Sequence, residues 1–154
     1  MKQSAVQKAM SLLLHQSRTE KELRNRLAMS GFEQEEVEEA VAYVSSFGYL
    51  NDRRYAENYV LSYSGKKSRR AIREGLLEKG VSEEEADAAL AELQTDEQGL
   101  ILSLLRKKAG DPHLLQEGEL RRVLSFLGRR GFSSGDVWRA IRKYQDSAPE
   151  DARE

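Results

Sequence analysis

Five basic side chains lie within eight residues near the middle of this 154-residue chain. They belong to the stretch GKKSRRAIREGLLEKGV at positions 65–81, whose GKKS opening has the composition of a phosphate-binding loop. Such a loop requires a glycine five residues before its Gly-Lys pair, and a strand before it. Position 60 is instead Val60, within a segment of helical spacing, so this class of site is excluded. The five cations therefore either bind an anionic partner or cover the start of an ordinary helix.

Basic residues recur along the chain, and together they define a candidate surface for binding protein or DNA. Arg69, Arg70 and Arg73 fall within one arc of a predicted helix, beside an apolar stripe. Cations at a helix N-terminus oppose the helix dipole, which points to a role other than local stability. The candidate residues are Arg53, Arg54, Lys66, Lys67, Arg69, Arg70, Arg73, Arg121, Arg122, Arg129 and Arg130, with Arg139, Arg142 and Lys143 extending the basic set. The alternative is that they only solvate helices and form i,i+4 pairs. Neither interpretation implies base specificity, since phosphate contacts do not read sequence.

The net charge of −1 conceals an uneven distribution along the chain. Residues 97–148 contain 10 basic and 6 acidic residues, whereas residues 51–96 contain 8 and 10. A basic C-terminal third on a nearly neutral chain favours an anionic partner for part of the surface.

The sequence contains little that an enzyme could use. Its two histidines, His15 and His113, lie far apart and have no metal-binding spacing. The acidic runs fall in the first turns of predicted helices, where carboxylates suit the dipole. We therefore expect no catalytic residues, no metal and no cofactor, and a protein that is not an enzyme.

Composition also bears on location. There is no cysteine, which fits a reducing cytosol, and the apolar run Met10–Leu14 is too short to span a bilayer. We expect a cytoplasmic monomer that does not bind membranes.

An aromatic group lies between the first and second thirds of the chain. Its members are Tyr43, Phe47, Tyr49, Tyr55, Tyr59 and Tyr63. Core packing is the favoured role for most of them, and an exposed tyrosine that binds a protein partner is the alternative.

Three stretches align at offsets of 49 and 51 residues, namely Thr19–Val44, Ser68–Leu93 and Glu119–Tyr144. Each has a glycine followed by an apolar residue: Gly31-Phe32, Gly80-Val81 and Gly131-Phe132. The matched apolar positions are Leu23, Ile72 and Val123; Leu27, Leu76 and Leu127; Val37, Ala86 and Val137; Ala40, Ala89 and Ala140; and Val41, Leu90 and Ile141. A period near 50 residues with this agreement indicates a repeat architecture.

Each stretch is predicted to form two helices that meet at the glycine, which suits the left-handed residue after a helix end. Predicted helix caps are Thr19 with Glu22, Ser82 with Glu85, and Ser133 or Ser134. A third helix precedes each pair: Ala5–His15, Asp52–Tyr63 capped by Asn51 or Asp52, and Glu97–Lys108 capped by Thr95 with Gln98 at the third helical position. The prediction is an all-α fold of three tandem three-helix, helix-turn-helix-like repeats packed into an elongated, curved rod. The predicted repeats are 1–48, 49–95 and 96–147, followed by a flexible acidic tail at 148–154.

Residues 5–93 resemble the RecX family of bacterial recombination regulators. The resemblance rests on Ser17-Arg18, Glu22-Leu23, Gly31-Phe32, the run Phe47 to Asp52, Tyr55-Ala56, Tyr59, the run Lys66 to Ile72, and Leu77 to Val81. The third stretch matches in pattern but more loosely in identity. Ser68 and Arg69 occupy a place where the family often has glycine.

The resemblance implies three three-helix repeats and a cytoplasmic, non-enzymatic protein that binds RecA, usually as RecA–single-stranded-DNA filaments. Family members lie in the filament groove or block its growth, lowering strand exchange, ATP hydrolysis and co-protease activity, and some bind single- or double-stranded DNA directly. The candidate basic residues would then line the filament-facing surface. The alternatives are a sequence-nonspecific DNA-binding protein of tandem helix-turn-helix-like units and a helical adaptor without a nucleic-acid role.

Overall fold

The computed structural model describes residues 3–152, and within that range the regular structure is entirely helical. The helices are α1 Ala5–His15, α2 Glu20–Met29, α3 Gln34–Ser46, α4 Asp52–Tyr63, α5 Arg69–Glu78, α6 Glu83–Ala91, α7 Glu97–Ala109, α8 Glu117–Arg129 and α9 Ser134–Asp146, followed by a short 3-10 turn at Glu150–Ala152. The all-α repeat fold predicted from the sequence is confirmed. Of the predicted tail, positions 153–154 lie outside the described residues. Over the range 3–152, no helix combines the length and apolar character needed to cross a bilayer.

Most of the predicted caps form; Ser82 caps α6 without the reciprocal bond from its backbone N–H to the Glu85 carboxylate, and the cap predicted at Thr95 is wrong. Thr19, Ser82 and Ser133 each accept a hydrogen bond from the backbone N–H three residues on, and Asn51 does the same for α4. The residue that caps α7 is Asp96, whose carboxylate accepts from the Gly99 N–H at 3.0 Å, and not Thr95. The Thr95 hydroxyl is engaged elsewhere, because it accepts a hydrogen bond from the Arg69 guanidinium at 3.2 Å.

The core consists of the positions that the repeat matches. Every one of the matched apolar residues, from Leu23 to Ile141, is buried. The spacing of three and four residues therefore places the matched residues on the buried face of each helix, because residues three and four apart line one helix face.

The described chain forms two compact units. Unit 1 contains the residues up to Leu61 together with Arg73–Glu92, and unit 2 contains Ser62–Ile72 together with the residues from Leu93 onward. α1, α2 and α3 surround a core in unit 1, and α7, α8 and α9 surround one in unit 2. The unit boundaries pass through α4 and α5. The division into three sequence repeats and a tail stays a prediction.

The three repeat glycines end α2, α5 and α8 in the same way. Gly31, Gly80 and Gly131 have φ of 90°, 95° and 88°. In each case the N–H of the following residue donates to a carbonyl five residues back, for example Phe32 to Leu27 and Val81 to Leu76. This is the Schellman arrangement, which favours glycine because the left-handed conformation strains a residue with a Cβ.

In unit 1, the start of α2 lies against the turn after α5. Thr19 is fully buried; its hydroxyl caps α2 and also donates to the Lys79 carbonyl oxygen. A Cβ built on Gly80 would lie 2.4 Å from the Cβ of Lys21. The turn can therefore approach α2 only because residue 80 has no side chain.

Unit 2 has an equivalent contact at Ser68, the position 49 residues after Thr19. We call this contact between the start of α5 and the α8–α9 turn the Ser68 joint. Ser68 is buried and caps α5 by accepting from the Ala71 N–H at 3.0 Å. Its hydroxyl donates to the Gly131 carbonyl at 2.8 Å, and its N–H donates to the Arg130 carbonyl at 2.9 Å. A Cβ on Gly131 would lie 2.5 Å from the Cβ of Ala71. The start of α5 and the α8–α9 turn are thus fastened together by two hydrogen bonds and a close contact.

The connection between α7 and α8 is held by His113. Its Nδ1 lies 2.7 Å from the Asp111 carbonyl oxygen and its Nε2 lies 2.8 Å from the Glu119 carboxylate. Both partners are acceptors, so the doubly protonated ring satisfies both. The Asp111 carbonyl and, to a smaller extent, the Glu119 carboxylate raise the pKa of His113.

The buried Tyr144 also holds this loop. Its hydroxyl donates to the loop, with the Gly110 and Asp111 carbonyl oxygens both at 2.9 Å.

Alanine substitution at two of the repeat glycines should separate backbone strain from steric contact. Gly31→Ala and Gly131→Ala both force alanine to a φ near +90°, but a Cβ at position 31 meets nothing within 4 Å. We expect Gly31→Ala to lower the free energy of unfolding by about 1–2 kcal/mol, and Gly131→Ala to lower it by a further 1–3 kcal/mol or so through overpacking. Urea unfolding followed by far-UV circular dichroism measures both; equal losses would show that the contact with Ala71 does not form.

Protonation of His113 should stabilise the protein. Its pKa is raised on folding, so this contribution is fully present below the unfolded pKa of about 6.5 and is lost as pH rises through the folded pKa. In a His15→Gln background, which leaves one histidine, Glu119→Gln should shrink this pH dependence and lower the pKa of His113. NMR titration of the single imidazole reports the pKa directly. A pKa that does not change in Glu119→Gln contradicts the assignment.

Candidate basic interaction surface

The predicted basic residues are divided between the two units. Arg53, Arg54 and Arg73 belong to unit 1, and the other eight candidates belong to unit 2. Within unit 2 the Ser68 joint joins two basic segments that are distant in sequence. It places Lys66–Arg70 beside Arg129–Arg130, because Ser68 bonds to the carbonyls of residues 130 and 131.

The two units differ strongly in charge. The segments of unit 1 contain 10 basic and 16 acidic residues, for a net charge of −6, and those of unit 2 contain 15 and 10, for a net charge of +5. The near-zero total is the sum of these opposite values. Unit 2 thus attracts anions, whereas unit 1 repels them.

Three of the candidate arginines are committed to the fold. The Arg69 guanidinium donates to the Leu93 carbonyl at 3.0 Å, and the backbone N–H of Arg69 donates to the Glu97 carboxylate at 2.7 Å. Arg73 pairs with Asp87 at 2.7 Å, and that carboxylate raises the pKa of the guanidinium. The Arg130 guanidinium stacks on Phe126, 3.9 Å from the ring centre. Replacing any of these would change internal contacts as well as surface charge.

The remaining candidates are more available to a partner. Lys66 and Arg122 are exposed, and neither side chain makes a hydrogen bond or ion pair within the described chain. Arg70 is exposed, and the Arg129 guanidinium donates only to the neutral Ser125 hydroxyl, at 3.2 Å. The other pairings are Arg121 with Glu117, Arg53 with Glu57, Arg54 with the Gly48 carbonyl, and Lys67 over the Tyr63 ring. The exposed pairs contribute little stability and can exchange for a ligand anion.

The predicted aromatic group divides into two sets. Tyr55, Tyr59 and Tyr63 are half-buried, and the rings of Tyr55 and Tyr59 stack with their centres 6.2 Å apart. Tyr43, Phe47 and Tyr49 are instead exposed, and they line a shallow groove with Val6, Met10 and Leu14. This groove lies in unit 1, and core packing is the wrong prediction for its three aromatic residues.

One exposed aromatic residue, Trp138, lies outside the surface predicted from the sequence. It is 39% exposed on α9. The sequence alone could have indicated this residue, because Trp138 lies four residues before Arg142 and residues four apart share a helix face. Among residues 3–152, no group of three or more His, Asp or Glu side chains is arranged to hold a metal ion.

Comparison with known proteins places these features in a family. Residues 5–43 match the model of the first three-helix domain of RecX, and residues 51–90 match the model of the second. The regulatory protein RecX of Trichlorobacter lovleyi is 36% identical over 132 residues, covering 82% of this chain and 86% of that protein. The RecX of Vibrio vulnificus is 32% identical over 134 residues, covering 86% of this chain and 88% of the relative. This chain spans only 55% of the RecX of Clostridium perfringens, to which it is 32% identical over 116 residues.

Solved structures give the same result for the fold. The crystal structure of RecX from Lactobacillus salivarius superposes with a TM-score of 0.72 at 24% identity, covering 94% of this chain and 96% of that one. A second RecX crystal structure superposes with a TM-score of 0.70 at 25% identity, covering 90% of this chain and 71% of that one. With two family domains matched in order and relatives above 30% identity over most of its length, this chain belongs to the RecX family of regulatory proteins.

Proposed function

We propose that this protein binds the recombinase RecA, chiefly as RecA–single-stranded-DNA filaments, and lowers its ATP hydrolysis, strand exchange and co-protease activity. Membership of a family of regulatory proteins supports a regulator. The single observation behind the choice of surface is the Ser68 joint, which gathers two basic segments on a unit of net charge +5.

Unit 2 provides the filament-facing surface in this proposal. Lys66, Arg70 and Arg129 are exposed beside the joint, with Arg121 and Arg122 on α8 of the same unit. Their charge suits an acidic protein surface or a DNA backbone, and long-range attraction of this kind speeds encounter more than it tightens the final complex. Neither contact requires catalysis by this chain, which acts by occupying a filament groove or a growing end.

Location and oligomeric state follow from the same proposal. A protein that acts on filaments formed on DNA works in the cytoplasm, and we propose that it does so as a monomer. Direct binding of single- or double-stranded DNA through the basic surface is part of the proposal.

Reversing two cations beside the joint should weaken inhibition without harming the fold. We expect Lys66→Glu with Arg129→Glu to raise the concentration needed for half-inhibition of the RecA ATPase by about tenfold, equivalent to about 1.4 kcal/mol. Neither residue has an acidic partner within the described chain, so internal ion pairs stay intact. The measurement is RecA ATP hydrolysis on single-stranded DNA at constant ionic strength.

The matched control is Lys8→Glu with Arg26→Glu. It makes the same change in charge within unit 1, on residues outside the candidate surface. It should leave the half-inhibitory concentration unchanged, and circular dichroism should show equal helix content in both variants. Equal inhibition by the wild type and by Lys66→Glu with Arg129→Glu would rule out this surface.

A further inference from the structure

Trp138 is the only tryptophan of the chain, and it lies on the solvent side of α9. The core face of that helix consists of Val137, Ala140, Ile141 and Tyr144, all of them buried. Trp138 remains 39% exposed and makes no ring contact with any other aromatic or cationic residue of the described chain. The exposed part of this ring is available to a ligand.

The helix leaves space around this ring. One turn earlier stand Ser134 and Gly135, and a Cβ built on Gly135 meets nothing within 4 Å. One turn later stands Arg142, which is exposed on the same helix face. The ring therefore has a small, open neighbour on one side and a cation on the other.

The cations at this end of α9 are available to a ligand. Arg139 is paired with Asp136 at 3.1 Å, but Arg142 and Lys143 make no side-chain hydrogen bond or ion pair within residues 3–152. Residues 121–143 contain seven basic residues and one acidic residue, and that acidic residue is the Asp136 already paired. An anion that reaches Trp138 thus meets Arg142 and Lys143 on α9, and Asp146 is the exposed carboxylate one turn after Arg142.

We propose that α9 carries a base-stacking site for single-stranded nucleic acid, in which Trp138 stacks on a base while Arg142 and Lys143 contact the neighbouring phosphates. An aromatic ring beside backbone-binding cations is the arrangement by which proteins bind single strands without reading sequence. A duplex cannot use the ring in this way, because its base faces are already stacked on one another. An acidic peptide would use the cations and leave the ring idle.

This inference rests on the direct binding of single-stranded DNA in the proposed function, and not on the action on RecA. Trp138 lies outside the candidate basic residues, whereas Arg142 and Lys143 extend that basic set. Binding of naked single strands is therefore measured with RecA absent, and RecA inhibition is measured separately on the same variants. Loss of one activity without the other identifies which proposal fails.

The lone tryptophan makes the test direct. Titration of the full chain with a 20-mer oligothymidine at low salt should quench its fluorescence, whereas an equal-length duplex or poly-glutamate should not. For variants lacking the signal, anisotropy of a labelled oligothymidine gives the affinity. Trp138→Ala should weaken binding by roughly 5- to 140-fold, the range that corresponds to one stacked base. Trp138→Phe, which keeps a ring, should restore most of the affinity.

Two further variants separate the contributions. Arg142→Gln should flatten the slope of log affinity against log salt by about 0.7, the value for one phosphate on a single strand. Phe47→Ala removes a more exposed ring, 59% accessible, from the acidic unit 1 and should change nothing. Absence of quenching by the oligothymidine, or equal affinity of Trp138→Ala and wild type, would overturn the proposal. Equal quenching by duplex or poly-glutamate would overturn it as well.

Discussion

The fold depends on a buried hydroxyl that caps one helix and bonds to the turn of another. Thr19 does this in unit 1 and Ser68 does it in unit 2, each at the start of the middle helix of its repeat. Because the hydroxyl is buried, it must find both a donor and an acceptor, and only one placement of the turn supplies them. The turn must also lack a side chain, which is why glycine stands at positions 80 and 131. The third repeat has Glu119 at the equivalent position, and its carboxylate binds His113.

The candidate interaction surface is a consequence of that joint. Lys66 and Arg129 lie far apart in the sequence, and the bonds of Ser68 to the α8–α9 turn, with the close contact of Gly131 and Ala71, bring their segments together. The basic residues of unit 2 are of two kinds. The side chains of Arg69 and Arg130 contact other parts of unit 2, whereas the side chains of Lys66 and Arg122 make no hydrogen bond or ion pair in the described chain. An exposed charge whose side chain pairs with nothing inside the described chain is available to a partner outside it.

Much of the fold is visible in the sequence because it is local. Helix caps, the glycine after each helix and the three-and-four spacing of Leu23 and Leu27 all act within one or two turns, so position and residue type suffice. The cap of α7 was wrongly predicted at Thr95, although the adjacent Asp96 forms it. The Thr95 hydroxyl instead accepts a hydrogen bond from Arg69, which is distant in sequence. The site was less predictable, because pairing of Arg73 with Asp87 and exposure of Tyr43 and Phe47 depend on tertiary contacts. The division of charge into −6 and +5 follows the compact units, whose boundaries pass through α4 and α5.

The action on RecA is tested most directly by adding the wild-type protein to RecA that is hydrolysing ATP on single-stranded DNA. Strand exchange is followed in parallel, at protein concentrations too low to coat the naked DNA. A dose-dependent fall in both activities is the predicted result. Unchanged hydrolysis and exchange at concentrations well above that of RecA, or a rise in either, would contradict inhibition as the function of this chain.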